Sequence, residues 1–290
     1  MKLLVKFNLV FALIFLLGLT ATGYISWSLL HKHAREEIIQ NARMLMQAAN
    51  AARAYTSGQI GPLLDTQMRY DFLPQSVPAY SATELFAQLN KEYPEYGYKE
   101  ATLNPTNPRD RAIEWEADVI AKFRSGLQEV EFIGERDTPA GRNYYIARPI
   151  QIKNAACLRC HSTPDAAPKT MIERYGSNNG FGWHLNEVIG AQIISVPTAI
   201  PLQRAREAFK VFMLSITGVF LVIGIALNLM LRSIVVKPVT RLAVLADRVS
   251  MGDMEAPEFY SHGKDEIGVL AASFNRMRKG LAQAMKMLDG

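Results

Sequence analysis

Polar residues become scarce in two stretches of the chain. Phe7 to Leu30 is interrupted mainly by Asn8, Thr20, Thr22, Tyr24, Ser26 and Ser28, and Val211 to Leu231 by Ser215, Thr217 and Asn228. Each run is long enough to cross a bilayer as a helix. Between the runs the pattern acquires periods. Ile38, Ala42, Leu45, Ala49 and Ala52 recur every three or four residues, which predicts a helix over His31 to Leu64 that Gly58, Gly61 and Pro62 weaken and end. A short helix is expected at Ala82 to Leu89. Another follows the turn-forming Asn104-Pro105-Thr106-Asn107-Pro108, with Ala112, Trp115, Val119 and Phe123 on one face and Gly126 past its end. Glu129 to Ile133 and Asn143 to Ile152 are rich in β-branched and aromatic residues and read as strands joined by Thr138-Pro139-Ala140-Gly141; Val188 to Val196 reads as a buried strand. Helices before a mostly antiparallel sheet predict an α+β domain.

After the second run the period changes again. Leu242, Leu245 and Val249, then Ile267, Leu270, Phe274, Met277, Leu281, Ala284 and Leu288, alternate steps of three and four, which reads as the seam of a coiled coil, with an ordinary amphipathic surface helix as the alternative.

Composition adds limits. With 290 residues and 49% hydrophobic content there is room for one or two domains and a core. The net charge of +5 is spread along the chain, so no nucleic-acid partner is expected. No nucleophile-and-base constellation stands out, so an enzyme is not expected. Lys2 and Lys6 before the first run, with the small residues Ala21 and Gly23, also suit a cleaved signal peptide. A chain starting at Tyr24 would still open with Ile25, Trp27, Leu29 and Leu30, which favours a retained anchor.

The chemistry centres on Cys157, Leu158, Arg159, Cys160 and His161, a C-x-x-C-H pattern that contains both cysteines of the chain. Two thiols at this spacing can each add across a vinyl group of one porphyrin, and the following histidine can then ligate the iron. This predicts one covalent haem c per chain held by Cys157 and Cys160, with His161 axial. A zinc site needs four ligands, and beside Cys157, Cys160 and His161 only His184 is an obvious fourth. A thioredoxin-type redox pair needs a βαβ setting, which the flanking pattern lacks. For the sixth iron position the candidates are Met44, Met46, Met68 and His184, or the position is open to a small gas. Each candidate, taken alone, also has a packing or solvent-exposed reading. Arg148 and Lys169 are candidate partners for haem propionates, with a solvated surface charge as the default.

The segments Tyr98 to Pro108, the pentad Cys157 to His161, Gly180-Phe181-Gly182-Trp183 and Glu187 to Pro197 resemble the extracytoplasmic c-type haem domains with a PAS-like fold found in bacterial sensors. The resemblance covers residues 35 to 205. It implies haem attachment outside the cytoplasmic membrane, which orients the chain where charge does so only weakly. Lys2, Lys6, Arg232, Lys237 and Arg241 favour cytoplasmic ends, but Lys32, Arg35, Arg204, Arg206 and Lys210 flank the other faces. Some members use a distal cysteine as sixth ligand, and this chain has none to offer. Pro238, Asp265-Glu266-Ile267-Gly268-Val269-Leu270 and Phe274-Asn275-Arg276-Met277 resemble a HAMP domain over residues 232 to 285, which implies a homodimer packed as a parallel four-helix bundle.

The sequence therefore predicts an α+β PAS-like sensor domain between two transmembrane helices, followed by an all-α HAMP coiled coil. The expected division is a membrane helix at 7–30, a periplasmic haem domain at 31–209, a second membrane helix at 211–231 and HAMP at 232–285. The expected function is detection of redox state or a small gas at the haem of an inner-membrane protein, relayed through HAMP to a cytoplasmic signalling partner. The competing reading is a membrane-anchored c-type cytochrome that transfers electrons. Gly290 follows HAMP by a few residues, so output is expected from a separate partner or from a longer receptor of which this chain is a piece.

Overall fold

A computed structural model describes residues 3–127, 130–139, 141–253, 255–260, 263 and 265–288. It divides into two compact units, Ser28–Glu207 on one hand and Met1–Trp27 with Ala208–Gly290 on the other.

The helix α1, Leu3–Tyr55, joins the first apolar run and the periodic segment without a break. Its continuation Thr56–Ile60 is a π-helical turn in which the Gly61 N–H bonds the Thr56 carbonyl, and Pro62 then sits in a last α turn, Gly61–Leu64. Widening the helix just before a residue that has no N–H lets the backbone bonds rearrange rather than break. The remaining helices of this unit are α2 (Pro78–Glu92), α3 (Glu114–Arg124), the single turn α4 (Leu158–His161) and α5 (Lys169–Tyr175). Helix α2 starts four residues earlier than its apolar spacing suggests, because Pro78 presets the helical φ at its first turn.

Four strands, β1 (Gly97–Thr102), β2 (Phe132–Thr138), β3 (Gly141–Gln151) and β4 (Val188–Pro197), form one antiparallel sheet in the order β1-β4-β3-β2. The expected strand over 129–133 is displaced to Phe132–Thr138, and Glu129 and Ala140 lie outside the described residues. The displaced part, Glu135-Arg136-Asp137, is exposed at the sheet edge, where charge discourages further pairing and removes the apolar signal of a strand.

Side chains alternate across the sheet, and each face carries its own core. Ile38, Ala42, Met46 and Ala49 of α1 pack with Ala82 and Phe86 of α2 on Ile146, Ile194 and Val196. Val119, Ile120 and Phe123 of α3 cover Ala101, Tyr145, Ala147, Ala191 and Ile193 on the other face. The domain is thus a mixed α/β layer structure, with the end of β4 leading through Thr198 into α6, Ala199–Met230.

In the second unit, the apolar stretches of α1 and α6 belong to helices long and apolar enough to cross a membrane. Leu9, Leu13, Leu17, Val222 and Ile225 are all more than half exposed, as lipid-facing side chains would be. Asn8 and Asn228 exchange side-chain hydrogen bonds of 3.0 and 2.7 Å between the two helices. A π-helical turn, Leu231–Val236, precedes Pro238 and leads into α7 (Lys237–Ser250); α8 spans Glu266–Leu288. Leu242, Val249, Ala256 and Phe274 form their shared core, while Leu270, Met277 and Leu281 of the same seam remain exposed.

Candidate functional site

The pentad follows β3 after a short connection. The Asn154 side chain accepts the Ala156 N–H at 2.8 Å, which tightens Ala155–Cys157 into a 3₁₀ turn and starts α4. Residues three apart on such a turn share a face, so the two cysteines are presented side by side. Both are free thiols, Cys157 exposed and Cys160 half-buried, and burial pushes the Cys160 thiol up.

His161 is oriented by two segments distant from it in the chain. Its Nδ1 is 2.8 Å from the Gly180 carbonyl and 3.4 Å from Thr106 Oγ1, and its ring stacks on Trp183 with centroids 3.9 Å apart. The loop is held by Asn104, whose side chain accepts from Gly180 N–H and donates to the Phe181 carbonyl, both at 3.1 Å. Backbone bonds from Gly182 to Ser162 and from Trp183 to His161 complete the junction. Because Nδ1 donates its proton to Gly180, Nε2 is left as a bare lone pair, the tautomer that ligates metal. Burial also lowers the His161 pKa, although the Gly180 contact works against this, so the neutral ring is favoured.

This donor set fits a porphyrin bound through two thioethers with one imidazole on the iron: two accessible thiols on one turn and a neutral, orientationally locked histidine directly after them. It does not fit the alternatives. Among the described residues no group of three or more His, Cys, Asp or Glu side chains is placed to hold a metal ion. The sheet is antiparallel throughout and provides no βαβ setting for a thioredoxin-type pair.

The candidates for the sixth position are placed very differently. Met46 is fully buried in the α1 core, so its sulfur fills space between helix and sheet. Met44 on the same helix is 63% exposed. The Met68 sulfur already accepts from Leu73 N–H at 3.1 Å and Ser76 Oγ at 3.3 Å. The His184 side chain is 83% exposed, with Nδ1 3.5 Å from Glu187. Of the proposed propionate partners, Lys169 is exposed, whereas Arg148 is bound to Glu131, which also receives Arg43. Burial works to raise the Glu131 pKa, but hydrogen bonds from the two guanidinium groups outweigh it and hold the carboxylate below its usual range.

Sequence reasoning missed a charged row where α1 meets the sheet. Glu100 is 4% exposed, pairs with Arg53 and accepts from the Tyr98 hydroxyl at 2.6 Å. Burial, followed by the charge of Glu100, raises the Tyr98 pKa and keeps the phenol protonated as a donor. No local pattern signals Glu100, since its neighbours Lys99 and Ala101 are poor strand formers. Nearby, Asp110 has its pKa pushed up to about 6, chiefly by burial. An unfolded Asp titrates near 3.9, so the folded protein binds the proton more tightly and loses stability as pH rises from about 4 to about 6. Asp110→Asn is expected to flatten that part of the pH profile and to gain about 2–3 kcal/mol at pH 7, measured by urea unfolding of the extracted protein.

Comparison with known proteins adds relatives to this geometry. The Tll0287-like family profile matches residues 31–197, and the HAMP domain profile matches residues 230–283. A protein of Acetivibrio thermocellus named as a sensory transducer is 35% identical over 77 residues, 27% of this chain and 14% of that protein. The heme sensor protein HssS of Staphylococcus epidermidis is 34% identical over 79 residues, 27% of this chain and 17% of HssS. The chain thus spans about a sixth of the length of the curated relatives it matches. The solved structure of the cyanobacterial heme-protein Tll0287 aligns with a TM-score of 0.43 and 16% identity, covering 56% of this chain and 95% of that one.

Proposed function

Because the chain belongs to the Tll0287-like family through residues 31–197 and carries a HAMP domain over residues 230–283, we propose that it is a membrane sensor whose signal originates at a covalent haem c. The observation that carries the reading is the His161 junction: Nδ1 locked by Gly180, the ring held on Trp183, and both thiols on the adjoining turn. Cys157 and Cys160 form the thioethers, and His161 Nε2 is the axial ligand. The haem supplies one-electron chemistry and, where its sixth position is open or weakly held, affinity for a small gas. A small gas, or one of Met44, Met68 and His184, would complete the coordination, since the core packing of Met46 accounts for that residue without the iron.

The rest of the reading follows from where the elements lead. Helix α1 and strand β4 each run into an apolar helix, so a shift in either would reach the bilayer. The sensor domain, PAS-like and covering 31–209, lies on the periplasmic side between membrane helices at 7–30 and 211–231, and HAMP at 232–285 is cytoplasmic. Its exposed Leu270, Met277 and Leu281 suit packing against a second copy, and the resulting homodimer hands the signal to a cytoplasmic partner. A HAMP domain is a signalling element, which weighs against a role confined to electron transfer.

The test is the optical spectrum of the extracted full-length chain, oxidised and reduced, with and without carbon monoxide. A c-type spectrum that shifts on adding the gas to the reduced form is expected for an open or displaceable sixth position. A gas-insensitive c-type spectrum leaves redox sensing as the stimulus, and the absence of haem from protein matured with a cytochrome c assembly system would overturn the proposal.

A further inference from the structure

Within the second unit, α1 and the apolar part of α6 lie antiparallel in a single register. Trp27 meets Phe209 edge-on with ring centroids 5.3 Å apart, and Phe15 meets Phe220 at 4.8 Å. The backbones are close where glycine allows it. A Cβ on Gly23 would lie 3.3 Å from Met213 Cε, and one on Gly224 would lie 3.0 Å from Phe11 Cε1. At the end of the pair nearest HAMP, Asn8 donates to Asn228 Oδ1 at 3.0 Å and accepts from Asn228 Nδ2 at 2.7 Å. The same Nδ2 reaches the Gly224 carbonyl at 2.9 Å, which aims the amide across the gap.

The apolar contacts discriminate weakly between registers. In hydrocarbon no hydrophobic force draws helices together, and one turn away Phe15 would meet Ile216 or Gly224 in place of Phe220. The amide pair discriminates sharply. Sliding α6 by one turn sets Asn8 against Gly224 and Asn228 against Leu4, or Asn8 against Arg232 and Asn228 against Ala12. In neither register does one amide face another. The hydroxyls of the two runs offer no substitute, since Thr20 and Thr217 donate to the Leu16 and Met213 carbonyls of their own helices. An interhelical hydrogen bond in a bilayer shifts an equilibrium about threefold on average, so two exchanged bonds favour this register about tenfold.

We infer that Asn8 and Asn228 form a register lock inside the membrane. Asn228 stands just before the π-helical turn Leu231–Val236 that opens into the HAMP domain, so the lock ties the last turns of α6 to α1 where the signal must leave the membrane. Helix α1 and strand β4 both lead from the sensor domain into this pair. A displacement entering along either helix therefore reaches HAMP as a joint movement of the two, not as α6 sliding along α1. The inference rests on α1 and α6 crossing one bilayer and is independent of the haem.

The experiment places p-benzoyl-phenylalanine at position 15 of the full-length chain in membranes, activates it with light, and identifies the cross-linked residues of α6 by mass spectrometry. Cross-links in the otherwise unsubstituted chain are expected to favour the turn around Phe220 over those around Ile216 and Gly224 by about tenfold or more. Asn8→Leu and Asn228→Leu remain apolar enough to insert and are each expected to lower that preference about tenfold. Asn8→Gln keeps an amide and is expected to hold it within about threefold. Thr217→Val removes a polar group bonded only within its own helix and is the control, expected to change the preference by less than about threefold.

Leucine variants that match the Thr217→Val control overturn the lock, as does an Asn8→Gln distribution as broad as that of Asn8→Leu. Cross-links that join two copies instead of α1 and α6 of one chain overturn it as well. Release of the unsubstituted chain from membranes by alkaline wash overturns the membrane reading and the lock with it. A chain that stays in the membrane without a preferred register overturns the lock alone.

Discussion

A Cys157→Ser/Cys160→Ser double variant is expected to lose all haem that survives denaturation, read as peroxidase staining of a denaturing gel. The thioethers are the covalent bonds in the proposed attachment, and the coordinate bond from His161 does not outlast unfolding. Each single variant keeps one thioether and is expected to retain reduced staining. Both residues sit on the α4 turn, Cys157 exposed and Cys160 half-buried, with neither in either sheet-packed core. The haem-free fold should therefore change by less than about 1 kcal/mol, the usual range for substitutions away from the core. Far-ultraviolet circular dichroism of the variant should match that of haem-free unsubstituted protein. Staining retained in the double variant would remove the covalent link and leave at most a haem held by His161.

The fold was most legible where one physical demand governs a whole segment. Ile38, Ala42 and Ala49 announce the buried face of α1 because a helix that packs on one side must repeat every three or four residues. Val188 to Val196 reads as a strand because β4 is central, paired with β1 and β3, and covered on both faces. Strand β1 was not legible. Its Lys99 and Glu100 look like surface residues, and they enter the sheet only because Glu116 and Arg53 neutralise them. Those partners are 17 and 47 residues away, beyond any local pattern. The coiled-coil seam shows a similar division. Its period identified Leu242 and Phe274, which are buried between α7 and α8, but periodicity alone does not tell them from Leu270 and Met277, which the chain leaves exposed.

The candidate site divides along the same line. Cys157, Cys160 and His161 stand out because attachment to one porphyrin imposes a short fixed spacing. The residues that orient the histidine are set by tertiary contact, with Thr106 lying 55 residues before it and Gly180 lying 19 after it. No spacing rule reaches so far. Their segments drew notice through family resemblance, and folding brings three of those segments, 104–106, 157–161 and 180–183, to one junction. Trp183 had no role readable from its position, and its stacking on His161 is visible only in three dimensions.

That junction leaves little room at Gly180, and Gly180→Ala is expected to loosen the axial histidine. The residue has φ of +85°, where an L side chain is strained by about 1–2 kcal/mol. A Cβ there would also lie 2.0 Å from Thr106 Oγ1 and 2.9 Å from Thr106 Cα. The first clash is with a side-chain atom that can rotate, but the second is with backbone, so either the 104–106 loop or the 180–183 loop must move. Moving the second carries away the Gly180 carbonyl that fixes the His161 Nδ1 proton, and Trp183 with it. The total cost is expected to reach about 2–4 kcal/mol, with the strain and the clash adding. The thioethers do not depend on this loop, so the haem should stay attached while its axial histidine loosens. The expected result is normal haem staining with a high-spin ferric spectrum that sharpens towards the parental form on adding imidazole. Thr106→Gly in the same chain removes the side-chain clash but not the backbone one and should restore the spectrum only in part. A Gly180→Ala variant with an unchanged spectrum and an unchanged melting temperature would show that His161 is held on the iron by contacts other than this loop.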